Sequence, residues 1–211
     1  MLARQDAGAK APDLVAVVGR WSEPTIDGER VVRVEPSDGQ AQAPAAIDAA
    51  ATRLFKQTDR TFTANAAAPG AFSLAVLSNV PQFSGGTYSA RFKLVSGASD
   101  QTAGLVFNLR PNGEYTYVRF NTKDGNVALW RYANGAREVI AHGTEHKPLP
   151  LGAWHQLAVT VTGTKVSGRV VGTTLTVEHD LKSPVSGRVG FWTKRDSETL
   201  FKDIDVEAAK P

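Results

Sequence analysis

The chain of 211 residues contains no cysteine, which excludes disulfides, thiolate metal sites and cysteine nucleophiles together and leaves the redox compartment without a signature. No apolar run approaches the ~18 residues of a membrane span. The opening MLARQDAGAKAPDL lacks the basic and then apolar stretch of a signal peptide, as a chain trimmed to its mature start would too. Charge is spread thinly. Lys and Arg number 24 against 21 Asp and Glu, a formal net charge of +3. With no block of like charges anywhere, nucleic acid is not implied as a partner.

Metal-ligand spacing is missing as well. His142 and His146 are four apart, but AHGTEHKPLP carries Gly143 and two prolines and reads as a loop, so ligation from one helix face is not supported. His155 and His179 sit at strand ends.

What is present is an ordinary soluble composition, 42% apolar and 21% charged. Residues 1–13 are small, polar and loose. VAVVGRWSEPTIDGERVVRVEP predicts a hairpin about Asp27-Gly28, with Val31, Val32 and Val34 as its apolar contacts. Residues 37–70 are Ala-rich. Ile47, Ala50, Ala51, Leu54 and Phe55 fall near helical spacing, which predicts one short helix near 44–57 that covers an open end of the fold. From Phe72 onward, segments rich in Val, Thr, Phe and Tyr alternate with SGG, PNG, KDG, ANG, TGT and VGT. That cadence predicts an antiparallel β-sandwich or barrel, with 14–211 as a single domain.

Three turn pairs, Asn112-Gly113, Asp124-Gly125 and Asn134-Gly135, suit two-residue hairpins in which both central residues take positive φ. The registers that follow pair Asn108 with Tyr117, Arg119 with Trp130, and Tyr132 with Arg137. Leu105, Phe107, Leu109, Val118, Phe120, Leu129 and Ile140 then share the inner face, since a one-residue slip would mix the two sets. The outer face carries Asn108, Arg110, Tyr115, Tyr117, Arg119, Asn121, Trp130, Tyr132 and Arg137. Flat rings can cover the apolar C–H faces of a sugar, while guanidinium and amide groups pair with its hydroxyls. This points to a carbohydrate partner, met on an exposed platform from which Arg119 and Trp130 can be removed without loss of the fold.

WHQLAVTVTGTKVSGRVVGTTLTVEHDL reads as a second meander in the opposing sheet. With PVSGRVGFWTKRDS, FKDIDV, FKLVSGASDQTAGLVFNLRPNGEY and VRFN, it resembles bacterial proteins of the concanavalin A-like lectin/glucanase superfamily, and within it the laminin-G-like group filed with the 3-keto-disaccharide hydrolase domain. The resemblance implies a jelly-roll β-sandwich of two antiparallel sheets, a glycan on the concave face, and a periplasmic or secreted setting. Carried onto this chain, its motif positions are Asp100, Gln101, Asn108, Arg119, Asn121, Trp192, Lys194, Asp196 and Ser197. Where the family usually reads Phe-Asp-Asp, this chain has Phe201-Lys202-Asp203.

The ligand set expected is therefore Asn108, Tyr117, Arg119, Asn121, Trp130, Tyr132 and Trp192. Two-carboxylate hydrolysis needs acids ~5–9.5 Å apart, and the Glu-x-Asp-x-Glu of the glucanase branch is missing. A hydrolase or lyase acting on 3-keto-glycosides would draw its base and electrophile from Asp196, Lys194 or Asp100. A structural or adhesion module without a sugar ligand is the third reading. Asp27 and Asp203 could supply oxygen ligands to calcium where the first and last strands meet, and no other cofactor is indicated.

Overall fold

The computed structural model describes residues 13–37 and 42–209. The loose segment expected over 1–13 thus lies, Asp13 apart, outside the described residues. The chain runs through β1 (Leu14–Val18), β2 (Trp21–Ser22), β3 (Thr25–Ile26), β4 (Glu29–Arg30), β5 (Val32–Val34), α1 (Pro44–Phe55), α2 (Arg60–Ala67) and β6 (Leu74–Leu77). There follow β7 (Gly86–Ser96), β8 (Thr102–Leu109), β9 (Tyr115–Asn121), β10 (Asn126–Ala133), β11 (Ala136–His142), β12 (Trp154–Thr162), β13 (Lys165–Val170), β14 (Thr176–Asp180), β15 (Arg188–Trp192) and β16 (Glu198–Ala208).

Two seven-stranded sheets, ordered β1-β6-β15-β8-β9-β10-β11 and β14-β13-β12-β7-β16-β5-β2, form a jelly-roll β-sandwich. Phe92, Leu105, Phe107, Val118, Phe120, Leu129, Val159, Phe191 and Phe201 are buried in the core between them. The meander of β12, β13 and β14 belongs to the opposing sheet, as expected. The Asp27-Gly28 turn has φ of 53° and 79° and joins β3 to β4, the predicted hairpin. Among the described residues no helix is long and apolar enough to cross a membrane.

The β8–β11 meander keeps its predicted faces on corrected registers. Only the Asn134-Gly135 turn has both residues at positive φ (53° and 73°), and it pairs Tyr132 with Arg137 as expected. At the first turn Gly113 N–H bonds to Arg110 O, Arg110 N–H bonds to Glu114 O, and Gly113 alone is left-handed. This is a three-residue loop, a turn led by Pro111 and closed by a glycine bulge. At the second, Gly125 N–H bonds to Asn121 O and Asn126 pairs with Asn121, so the loop is four residues long. Tyr117 therefore faces Trp130 and Val106, and Arg119 faces Ala128 and Gly104. Both shifts equal two residues. A two-residue shift preserves side-chain parity, so the faces survive the error.

At Asn108 parity does break. Asn108 sits at φ 58° as the extra residue of a bulge, and its side-chain oxygen accepts from Ser186 N–H at 3.0 Å. Leu109, expected on the inner face, turns outward to pack with Val106, Tyr115 and Tyr117.

The Ala-rich segment folds as two helices, one more than predicted, and they lie on the outer face of the first sheet instead of closing an end. Pro44 starts α1, where its missing N–H costs nothing, and Ile47, Ala50, Ala51 and Leu54 form its buried stripe. The Asp59 side chain caps α2 by accepting from Thr61 N–H at 2.7 Å. Asn65, 4% exposed, staples α2 to the meander. Its backbone oxygen accepts from Tyr132 Oη at 2.6 Å, its side-chain oxygen from Gly135 N–H at 2.7 Å, and its amide donates to Asn112 O at 2.8 Å. The helices, β1 and the outer aromatics thereby form a second apolar cluster.

Candidate functional site

The helices cover only part of the outer face. Tyr115 and Tyr132 stack at 4.9 Å beneath them and are closed to solvent. Tyr132 was expected among the ligand groups; the structure instead commits its hydroxyl to α2. Burial pushes its phenol up to about 12, with Arg137 pulling the other way.

Beyond the helix edge the face opens into a pit of about 260 Å³. Asp100, Tyr117, Arg119, Asn121, Asp124, Trp130, Arg137, Trp192 and Lys194 line it. Tyr117, Arg119 and Asn121 come from alternate positions of β9, Trp130 from β10, Arg137 from β11 and Trp192 from β15. Trp192 is 1% exposed and lies 4.4 Å from the Tyr117 ring. It can lie flat on β8 because Gly104 is beneath it, where a Cβ would come within 3.1 Å of the indole.

Arg119 was expected on an exposed platform, but it is buried at 7% exposure. It donates to Asn126 Oδ1 at 3.0 Å and Asp124 Oδ2 at 2.8 Å, and Asn121 Nδ2 donates to the same Asp124 oxygen at 3.2 Å. Its guanidinium carbon stands 5.8 Å from the Trp130 ring centre. Burial lowers its affinity for the proton and the Asp124 carboxylate restores part of it, so it stays charged near neutral pH. Burial likewise drives the Tyr117 phenol well above its ordinary range, against the opposing charge of Arg137.

Asp100 is 4% exposed, with Oδ1 2.9 Å from Lys194 Nζ. Its Oδ2 accepts no hydrogen bond; Arg195 Nη1 stands 3.6 Å away. Tyr117 Oη, Trp130 Nε1 and Trp192 Nε1 are also buried and make no hydrogen bond of good geometry, although Arg137 lies beside the Tyr117 hydroxyl and Tyr115 beside the Trp192 indole. Most buried polar groups in native proteins are satisfied, so four such atoms on residues that line one cavity call for a partner, water or ligand.

The remaining expected residues fall elsewhere. Asn108 is spent on Ser186 and is not among the residues that line the pit. Gln101 donates to Gly97 O at 2.8 Å, and Ser197 Oγ accepts from Thr102 N–H at 3.1 Å; both hold their own loops. Asp203 faces Arg91 at 3.7 Å, and Asp27 occupies the β3–β4 turn. Among the described residues no group of three or more His, Cys, Asp or Glu side chains could hold a metal ion.

Asp196 is a clamp. Its carboxylate accepts from the N–H groups of Ala98, Ser99 and Asp100 at 2.7, 2.7 and 3.0 Å, fixing the loop that delivers Asp100. Burial works against its charged form, but the N–H bonds from Ser99, Asp100 and Ala98 outweigh it and hold the carboxyl below its usual value of 3.8. A lowered folded pKa contributes stability that is fully present above the unfolded value and lost as pH falls through the folded one. Asp196→Asn should therefore cost about 1 kcal/mol at pH near 7, after solvent screening. The gap to wild type should close below roughly pH 4, as urea melts across the acid range would show. An equal deficit at every pH would rule out a charge-dependent clamp.

No family model matches the chain, and no curated protein matches its sequence. Solved structures do. The carbohydrate-binding module CBM66 from Bacillus subtilis superposes with a TM-score of 0.63 at 17% identity, over 90% of this chain and 92% of that one. The shared fold is the jelly-roll β-sandwich. A second Bacillus subtilis protein, described as having a galectin-like fold, superposes with a TM-score of 0.57 at 12% identity, over 91% of this chain and 87% of that one. At these identities the likeness concerns the fold alone.

Asp124 and Arg137 had not been singled out as ligand groups. The parity of β9 points at Arg137 through its cross-strand partner Tyr132. Asp124 carries no such signal, because its side chain reaches the pit only through the four-residue loop.

Proposed function

We propose that the protein binds a carbohydrate by seating one sugar residue in the pit beside Trp130 and above Trp192 and Tyr117. The observation that carries this reading is that four residues lining one small cavity each hold a buried polar atom without a well-formed hydrogen bond, three of these atoms being on aromatic side chains. A sugar ring meets both halves of that surface: its C–H face covers indole, and its hydroxyls pair with Asp100 Oδ2, Tyr117 Oη and the two indole N–H groups. At about 260 Å³ the pit is slightly smaller than the ~300–1,000 Å³ of general small-molecule sites, a size for one residue of a glycan and not a length of chain. The galectin-like and carbohydrate-binding architecture of the structural neighbours is consistent with this.

A glycan array followed by titration tests it. Trp130 is only half-buried, so Trp130→Phe keeps the stacking ring and removes the indole donor. Its affinity should fall about tenfold, the worth of one well-placed hydrogen bond, with the melting temperature little changed. Unchanged affinity would show that the Trp130 N–H is not used, and an array without a binder would leave the adhesion reading in its place.

An enzyme acting on oxidised sugars, such as the 3-keto-glycosides of the resembled group, is the second reading, favoured by the Asp100–Lys194 pair. A carboxylate 2.9 Å from an ammonium could take a proton next to a carbonyl whose oxygen the lysine faces. Turnover of a 3-keto-glucoside that is lost in Lys194→Met would establish it, whereas binding without turnover supports the lectin-like reading.

A further inference from the structure

The charges around the pit do not cancel. Arg119 is matched by Asp124, and Lys194 by Asp100, to which Arg195 is also near. Arg137 lines the same pit, and none of the ion pairs among the described residues includes it. Its guanidinium carbon lies 4.3 Å from the Phe72 ring centre and 5.8 Å from that of Trp130. Rings that engage the flat faces of a guanidinium leave its N–H edge as the available surface, and that edge matches a planar, two-oxygen acceptor. Beside it, Trp130 Nε1 is a buried donor without an acceptor, and the Tyr117 hydroxyl, whose oxygen Arg137 faces, has no acceptor for its proton.

We propose that the residue seated in the pit is an acidic sugar, a terminal uronic acid, whose carboxylate pairs with Arg137 while a ring hydroxyl donates to Asp100 Oδ2. This rests on the carbohydrate reading and narrows it. A neutral sugar fills the volume but leaves Arg137 partly desolvated with no counter-charge. A carboxylate supplies that charge and acceptor oxygens for the neighbouring donors. The two aspartates do not repel it, because each already faces a cation. Positions around the ring remain for Asn121 and the indoles, so the acid group is read at one point only.

The test is an array that displays terminal uronic acids beside their neutral counterparts, followed by titration of the tightest hit of each class at low and high salt. The acidic class should bind at least about tenfold more tightly at low salt, and that advantage should shrink as salt screens the pair. Arg137→Gln should remove the advantage, and Arg137→Lys, which keeps the charge without the fork, should retain part of it. If Arg137→Gln does not fold, the salt dependence of the wild-type preference and the lysine variant still decide. Equal affinities, or a preference for neutral sugars, would overturn the acidic-sugar assignment and leave the carbohydrate reading standing. An array on which no sugar of either class binds would take down both.

Discussion

Trp192→Ala should destabilise the protein by about 3–5 kcal/mol, as removal of a buried indole does, and should abolish ligand binding at the same time. Trp192 belongs to both structures at once. Its ring packs against Tyr117 at 4.4 Å and Phe72 at 5.9 Å within the outer apolar cluster, and it also lines the pit. The void left behind would be bounded on one side by Gly104, which has no side chain to move into it. Trp192→Phe separates the two roles. It fills most of the void while removing the indole N–H and part of the ring, so stability should recover to within about 1–2 kcal/mol of wild type while affinity stays low. Urea denaturation with titration calorimetry on both variants checks this, and full binding by Trp192→Phe would show that the N–H is not used.

Arg119→Ala should cost about 2–3 kcal/mol, less than the ~3–5 of a fully buried pair because Asp124 is 47% exposed. Asn126 is 5% exposed, and the substitution strands its side-chain oxygen in the interior. Asp124→Ala alone should cost under about 1 kcal/mol, since the charge it leaves on Arg119 still has Asn126 and the Trp130 face. A double-mutant cycle in urea should return a coupling of about 1 kcal/mol. Strict additivity would show that the contact at 2.8 Å contributes nothing. Binding should fail in Arg119→Ala even where the protein is folded, because Trp130 loses the guanidinium that it rests against.

These two substitutions differ from what an exposed aromatic platform would predict, because Asp124, Asn126 and Trp130 enclose Arg119 and Trp192 joins the apolar cluster that the Ala-rich segment completes. Its helical spacing was legible from Ile47, Ala50, Ala51 and Leu54, because a buried stripe leaves a periodic trace. Its destination was not. An apolar stripe shows that a helix must be covered, and says nothing of which surface does the covering. Here that surface is Tyr115, Tyr132 and Val106, and the tie is Asn65, a residue whose three partners lie on β10 and on two distant turns. Tyr115 and Tyr132 of the expected platform became core, and what remained open became a pit.

The turns show a related limit. Asn-Gly and Asp-Gly announce a reversal, but a lone left-handed glycine also closes three- and four-residue loops, as Gly113 and Gly125 do. Local sequence scarcely separates these loops, since each satisfies the same need for one residue at positive φ. The bulge at Asn108 left no mark beyond the tolerance of asparagine for that region.

The cadence of glycine turns was enough to determine the antiparallel β architecture, and strict alternation in YTYVRFN, with a one-residue slip forbidden by its two unlike faces, the side on which Tyr117, Arg119 and Asn121 stand. Only the folded chain decided which of those groups still meet solvent and which charge has no partner. Strand parity is a local property that the chain carries in its own order of residues, whereas exposure depends on what distant segments come to rest on each face.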